Sequence, residues 1–191
     1  MQLTLPTTAF AQNLATIARD QHDRFHLVDE NDEPLSSQIR HYWETLEFPF
    51  PGVETAWSAV FVSFCVKKAG ATASEFEFAA AHSVFVHEAI HNPSAFRGCD
   101  IDEAAVRVGD IVHNNRNGTR HDFAFARANR NYFSHSAIVV MRGEDASGKF
   151  ALTIGGNESD SIRRSRVRLN DDGTIAQRAT NPYISLLKCL K

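Results

Sequence analysis

Trp57-Ser58-Ala59-Val60-Phe61-Val62-Ser63-Phe64-Cys65-Val66-Lys67-Lys68-Ala69-Gly70 is apolar over most of a helical circumference. A surface helix carries one apolar stripe, whereas a helix apolar nearly all round lies inside a core. The stretch therefore predicts a buried helix over residues 57–69, with other elements wrapped around it. Gly70 lacks the Cβ that makes left-handed backbone costly, and it is the stop signal.

Working outward toward the N-terminus, Phe10, Leu14, Ile17 and Ala18 recur at helical spacing, so residues 8–24 predict an amphipathic helix with Thr7 or Thr8 as N-cap. Residues 29–34 are polar and read as a loop. A second short helix follows, carrying Ile39, Tyr42, Trp43 and Leu46 on one side, until FPFPG at residues 48–52 breaks it. Toward the C-terminus, residues 79–91 read as a third helical stretch that ends before Pro93, because the residue preceding a proline disfavours helix. Beyond Asp100 the period changes. Residues 106–112, 136–141, 150–154 and 162–169 are short, β-rich segments separated by NRNG, EDASG, GGN and NDDG turns. Helices first and antiparallel strands afterwards predict one α+β domain over residues 1–191, helical in 1–95 and sheet-forming in 100–191. Residues 114–132 are long, polar and aromatic enough for a functional loop.

The 191 residues suffice for one sizeable core without disulfides or metal, and 43% hydrophobic with 23% charged residues is a globular composition. A formal net charge of -3 supplies no basic field for nucleic acid or anionic lipid. Arg163, Arg164, Arg166 and Arg168 alternate as on the solvated edge of a strand. Cys65, Cys99 and Cys189 are odd in number and unrelated in spacing, which indicates neither a disulfide framework nor a cysteine zinc site. MQLTLPTTAFAQNLATIARDQ at the N-terminus lacks a basic leader followed by an apolar run, and no later run is long enough to span a bilayer. The expectation is cytoplasmic synthesis without an ordinary signal peptide and no membrane insertion.

WSAVFVSFCVKKAG, then VGDIV, SHSAIVV and IGGNESDSI, follow one another in the order and character of CHAP and NlpC-type cell-wall hydrolases, which have a papain-like fold. The chain more closely resembles an uncharacterised bacterial domain family on that fold with Trp-Ser in place of Trp-Cys. The resemblance covers residues 43–169 and implies a papain-like domain acting on peptidoglycan, with no cofactor. It maps the nucleophile to Ser58, the base to His135 and the residue orienting that base to Asn157. His82, in AAHSVFV, belongs to the same resemblance and either lines the cleft or is a hydrogen-bonded structural histidine. Action in the periplasm or outside the cell then requires non-classical export, as for an injected antibacterial effector with an immunity protein as partner, or a phage lysis protein.

The exchange of cysteine for serine matters chemically. A thiol at a helix N-terminus beside a histidine is stabilised as thiolate, whereas a serine hydroxyl stays protonated and needs a base during attack. An asparagine can hold the imidazole but supplies no charge to stabilise the imidazolium. Three readings of Ser58 follow: a nucleophile, a vestige in a module that only binds peptidoglycan, or a bystander in a cleft where a carboxylic acid cleaves the glycan strand. Glu54, just before the helix, is the first candidate for that acid, with Glu158 and Asp122 as further ones.

His87-Glu88-Ala89-Ile90-His91 is a literal HExxH, the helical zinc-binding pattern of metallopeptidases. Catalytic zinc needs a third protein ligand, for which Glu103, His113 and His121 are candidates. The opposing reading places His87 and His91 on the solvent face of a helix whose apolar face is Val84, Phe85, Ala89 and Ile90, and we favour it because the other motifs account for more of the chain.

Overall fold

The computed structural model describes residues 7–191, so the first six residues of the stretch 1–21 on which the leader expectation rests lie outside the described residues. Thr8 caps the first helix, α1 (Ala9–Phe25), by accepting the Ala11 N–H at 3.1 Å. Its inward side, Phe10, Leu14, Ala15, Ala18 and Phe25, packs on the core. Helix α2 (Leu35–Thr45) adds Leu35, Ile39, Tyr42 and Trp43. Helix α3 (Ser58–Ala69) is buried at every position from Ser58 to Val66 and ends at Gly70, whose φ of 107° is left-handed. Helix α4 (His82–His91) starts three residues later than predicted because Ala81 is extended, and it buries Phe85, Val86 and Ala89.

The helices cover one face of a six-stranded antiparallel sheet formed by β1 (Phe96–Cys99), β2 (Ile111–Asn115), β3 (Ser134–Asp145), β4 (Gly148–Gly155), β5 (Arg163–Arg168) and β6 (Tyr183–Cys189), in the order β1-β6-β2-β3-β4-β5. Alternation along the strands sends Ile111, Ile138, Ile154 and Leu187 to the helices. Val112, Val139, Ala151, Val167 and Leu186 go to a second, smaller cluster on the other face. The observed architecture is thus α+β. Strand β5 is outermost, with Arg163, Arg164, Arg166 and Arg168 exposed and Val167 buried, as the arginine alternation predicts.

Three boundaries differ from the sequence reading. The sheet begins at Phe96, not at residue 100, and β6 lies between β1 and β2. Residues 114–132 are not all loop, since they hold the short helix α5 (Phe123–Ala128). The strand expected over residues 106–112 starts only at Ile111, because Gly109 (φ 89°) turns the chain against Ala11 and Asp110 anchors the turn. Asp110 accepts from Arg107 N (2.6 Å) and Cys189 N (2.9 Å) and pairs with Lys188 Nζ at 2.5 Å, clamping β2 to β6. No helix among the described residues is long and apolar enough to cross a membrane.

Candidate active site

Four chain segments end at the same edge of the helix–sheet interface: the N-termini of α3 and α4, the start of β3, and the turn after β4. They bring Ser58, His82, His135 and Glu158 into a row. Ser58 Oγ lies 2.7 Å from His82 Nε2, and both residues are buried. The His82 and His135 rings meet edge to face with centroids 5.1 Å apart. His135 Nε2 is 2.8 Å from Glu158 Oε1, and Ser165 Oγ donates to the other carboxylate oxygen at 3.1 Å.

This geometry corrects two of the roles implied by the resemblance. The imidazole facing Ser58 is His82, while His135 is engaged by Glu158. Asn157 does not hold His135. Its left-handed backbone (φ 54°) turns the side chain away, and Nδ2 donates to Glu30 Oε2 at 2.6 Å. The same Glu30 oxygen accepts the Trp57 indole N–H at 2.8 Å, and the Glu30 backbone N–H donates to the Asp160 carbonyl. Glu30 therefore ties the α1–α2 connection, the start of α3 and the Glu158 turn together. Ser159 and Asp160 are left-handed as well, so the turn that presents Glu158 is held in backbone of raised energy, a common feature of functional sites.

The two glycines of IGGN are required by close approach. A Cβ on Gly155 would fall 2.9 Å from His135 Nε2 and closer still to Glu158 Oε1, in the space the pair occupies. On Gly156 it would meet the Trp57 ring at 2.5 Å.

The electrostatics separate the two halves of the row. Burial is the main cause that holds His82 well below the ordinary histidine range, with His135, His113 and Arg116 adding to it. His82 also opens α4, whose positive end disfavours an imidazolium. His113, bonded to Ser136 Oγ (2.8 Å) and the Tyr132 hydroxyl (3.1 Å), is lowered by burial to about 3. Ser58 thus faces a neutral imidazole at a distance suited to proton removal, but no anion compensates the imidazolium that attack would create, and His82 Nδ1 has no partner among the described residues. Glu158 and His135, by contrast, line a pocket of about 230 Å³ together with Asn114, Arg116, Arg178 and Tyr183, and neither Ser58 nor His82 forms part of its wall.

The other carboxylates and histidines lie elsewhere. Glu54 is exposed on a separate depression with Ser36, Arg40 and Phe50, so proximity in sequence to Ser58 does not place it in the cleft. Asp122 caps α5 through the Phe125 N–H. The His87 and His91 rings lie tilted at 37° with centroids 4.3 Å apart, and His91 Nε2 contacts the Arg127 carbonyl at 2.8 Å. Of the third ligands considered, Glu103 pairs with Arg97, His121 stacks on Phe125, and His113 is buried in β2 with its ring bonded to Ser136 and Tyr132. Among the described residues no group of three His, Cys, Asp or Glu could hold a metal ion. Glu30 and Ser165 carry no signal in the sequence that separates them from other surface polar residues.

Comparison with the curated proteins finds no match, and comparison with the solved structures finds none. The family model described as "Uncharacterized protein conserved in bacteria (DUF2272)" matches residues 29–186. That span includes Glu30, Ser58, His82, His135, Glu158 and Ser165, and the chain belongs to this bacterial family.

Proposed function

We propose that the chain is a peptidoglycan-cleaving enzyme of papain-like architecture that cuts the glycan strand, with Glu158 as general acid and base and His135 as its proton partner. The observation that carries this reading is the 2.8 Å His135–Glu158 contact in the wall of an open polar pocket. The proton between His135 Nε2 and Glu158 Oε1 passes to the glycosidic oxygen as the C–O bond breaks. The carboxylate left behind then removes a proton from the incoming nucleophile. Glycoside hydrolases that use water as nucleophile ordinarily place two carboxyl groups about the bond. Among the described residues Glu158 is the sole carboxylic acid lining this pocket, which favours attack by the substrate's own 6-hydroxyl and an anhydro-sugar product. The substrate assignment rests on the likeness of the Trp-Ser helix, SHSAIVV and IGGN motifs to cell-wall hydrolases. The same reading extends to an antibacterial effector with a cognate immunity protein, or to a phage lysis protein, both of which act on this substrate.

A second reading draws on the 2.7 Å Ser58–His82 contact: amide cleavage in the stem peptide with Ser58 as nucleophile. Purified peptidoglycan digested with the wild type, Glu158→Gln and Ser58→Ala separates the two. The first reading expects anhydro-sugars that vanish in Glu158→Gln and persist in Ser58→Ala. Freed stem peptides that vanish in Ser58→Ala would replace it with the second.

A further inference from the structure

The pocket beside Glu158 has an unbalanced charge. Three arginines line it, Arg116, Arg166 and Arg178, against the single carboxylate Glu158, which faces His135. Arg166 is neutralised at the rim, where its guanidinium makes two hydrogen bonds to Asp145 (2.7 and 3.0 Å) and lies over the Phe150 ring. Arg116 and Arg178 have no carboxylate partner among the described residues. Arg178 is nevertheless held in place. Its Nε donates to the Asn181 carbonyl at 2.9 Å and its guanidinium lies 4.3 Å from the centre of the Tyr183 ring, which leaves both terminal nitrogens without a protein acceptor. Arg116 is half-buried and sits close enough to the histidine row to depress His82. An exposed arginine tethered through Nε and a ring face, with its fork of terminal donors free, beside a half-buried second cation, is matched by a carboxylate, which can accept two parallel N–H bonds.

We infer that Arg116 and Arg178 form a subsite for a free carboxylate of the substrate, so that the substrate is anchored by an anionic group at one end of the pocket and presented to Glu158 at the other. On the reading proposed above, that carboxylate belongs to the peptide stem carried by the glycan. The subsite then selects strands whose stem acid is free over strands in which it is amidated.

The test is direct binding of two soluble probes, N-acetylmuramyl-L-alanyl-D-glutamate and its diamide, in which both glutamate carboxyls are blocked, followed by chemical-shift changes at the Arg178 side chain and at the pocket amides of the full chain. A lost charge-assisted hydrogen bond corresponds to about tenfold or more in affinity. The acid is therefore expected to bind at least about tenfold more tightly than the diamide, and Arg116→Gln and Arg178→Gln are each expected to remove most of that preference. Equal binding of acid and diamide, a preference that survives both substitutions, or shifts that bypass the pocket would overturn the subsite. The glycan-cleavage reading fails separately, if wild-type protein leaves peptidoglycan strands intact while the acid preference stands.

Discussion

Glu158 and His135 share space that exists only because residue 155 has no side chain. The contact, and with it the proposed acid–base chemistry, therefore depends on Gly155 as much as on the pair itself. Gly155→Ala is expected to push His135 and Glu158 apart and lower turnover by about 100-fold, the range typical of losing a positioned acid or base, with the melting temperature little changed because only side-chain ends must move. Turnover close to wild type would show that the contact is not needed. The buried histidines make a second prediction. A histidine depressed in the folded state binds its proton in the unfolded chain first, so its contribution is present above the unfolded value of about 6.5 and is lost as pH falls toward the folded value. For His113 that window runs from about 6.5 down to about 3. Urea denaturation between pH 7 and 5 should show stability falling with pH, and His113→Gln should make the slope shallower by about 1 kcal/mol per pH unit averaged over that range, approaching about 1.4 toward pH 5. An unchanged slope would mean that His113 is protonated in the fold.

Among the elements, the least legible in sequence are those whose residues are buried without alternation or are too few to show a period. Strand β6 is buried from Tyr183 to Lys188, so no inward–outward pattern marks it, and it contains a lysine that would ordinarily signal solvent. Strand β1 has four residues and follows shortly after Pro93. Helix α3 is legible for the opposite reason, since twelve residues of nearly continuous apolar character fit one buried helix and little else. The β2–β6 clamp explains the buried lysine. Removing one partner of a buried ion pair leaves an uncompensated charge, so Lys188→Met is expected to destabilise the fold by about 3–5 kcal/mol, and Asp110→Asn added to it should recover a large part. Denaturant midpoints of the single and double variants check this. A double variant no more stable than the single would show that the pair is not an energetic unit.

At the scale of the whole molecule, the order of motifs anticipates that the N-terminus of α3, the start of β3 and the IGGN turn meet. It did not assign partners within the cleft. Which imidazole faces Ser58 depends on where α4 begins, and that follows from the extended Ala81, which no periodicity encodes. Asn157 and Glu158 are neighbours in sequence, and a left-handed turn decides which of them reaches His135. HExxH shows the limit of a local pattern, for two histidines one turn apart become a metal site only if the fold delivers a third ligand. On the proposed function the reacting group is the Glu158 carboxyl rather than the Ser58 hydroxyl. The most direct measurement is mass spectrometry of purified peptidoglycan after digestion by the wild type, Glu158→Gln and Ser58→Ala. Anhydro-sugar products from the wild type and Ser58→Ala but not from Glu158→Gln are the predicted result. Intact glycan strands, or stem peptides released in a Ser58-dependent manner, would contradict it.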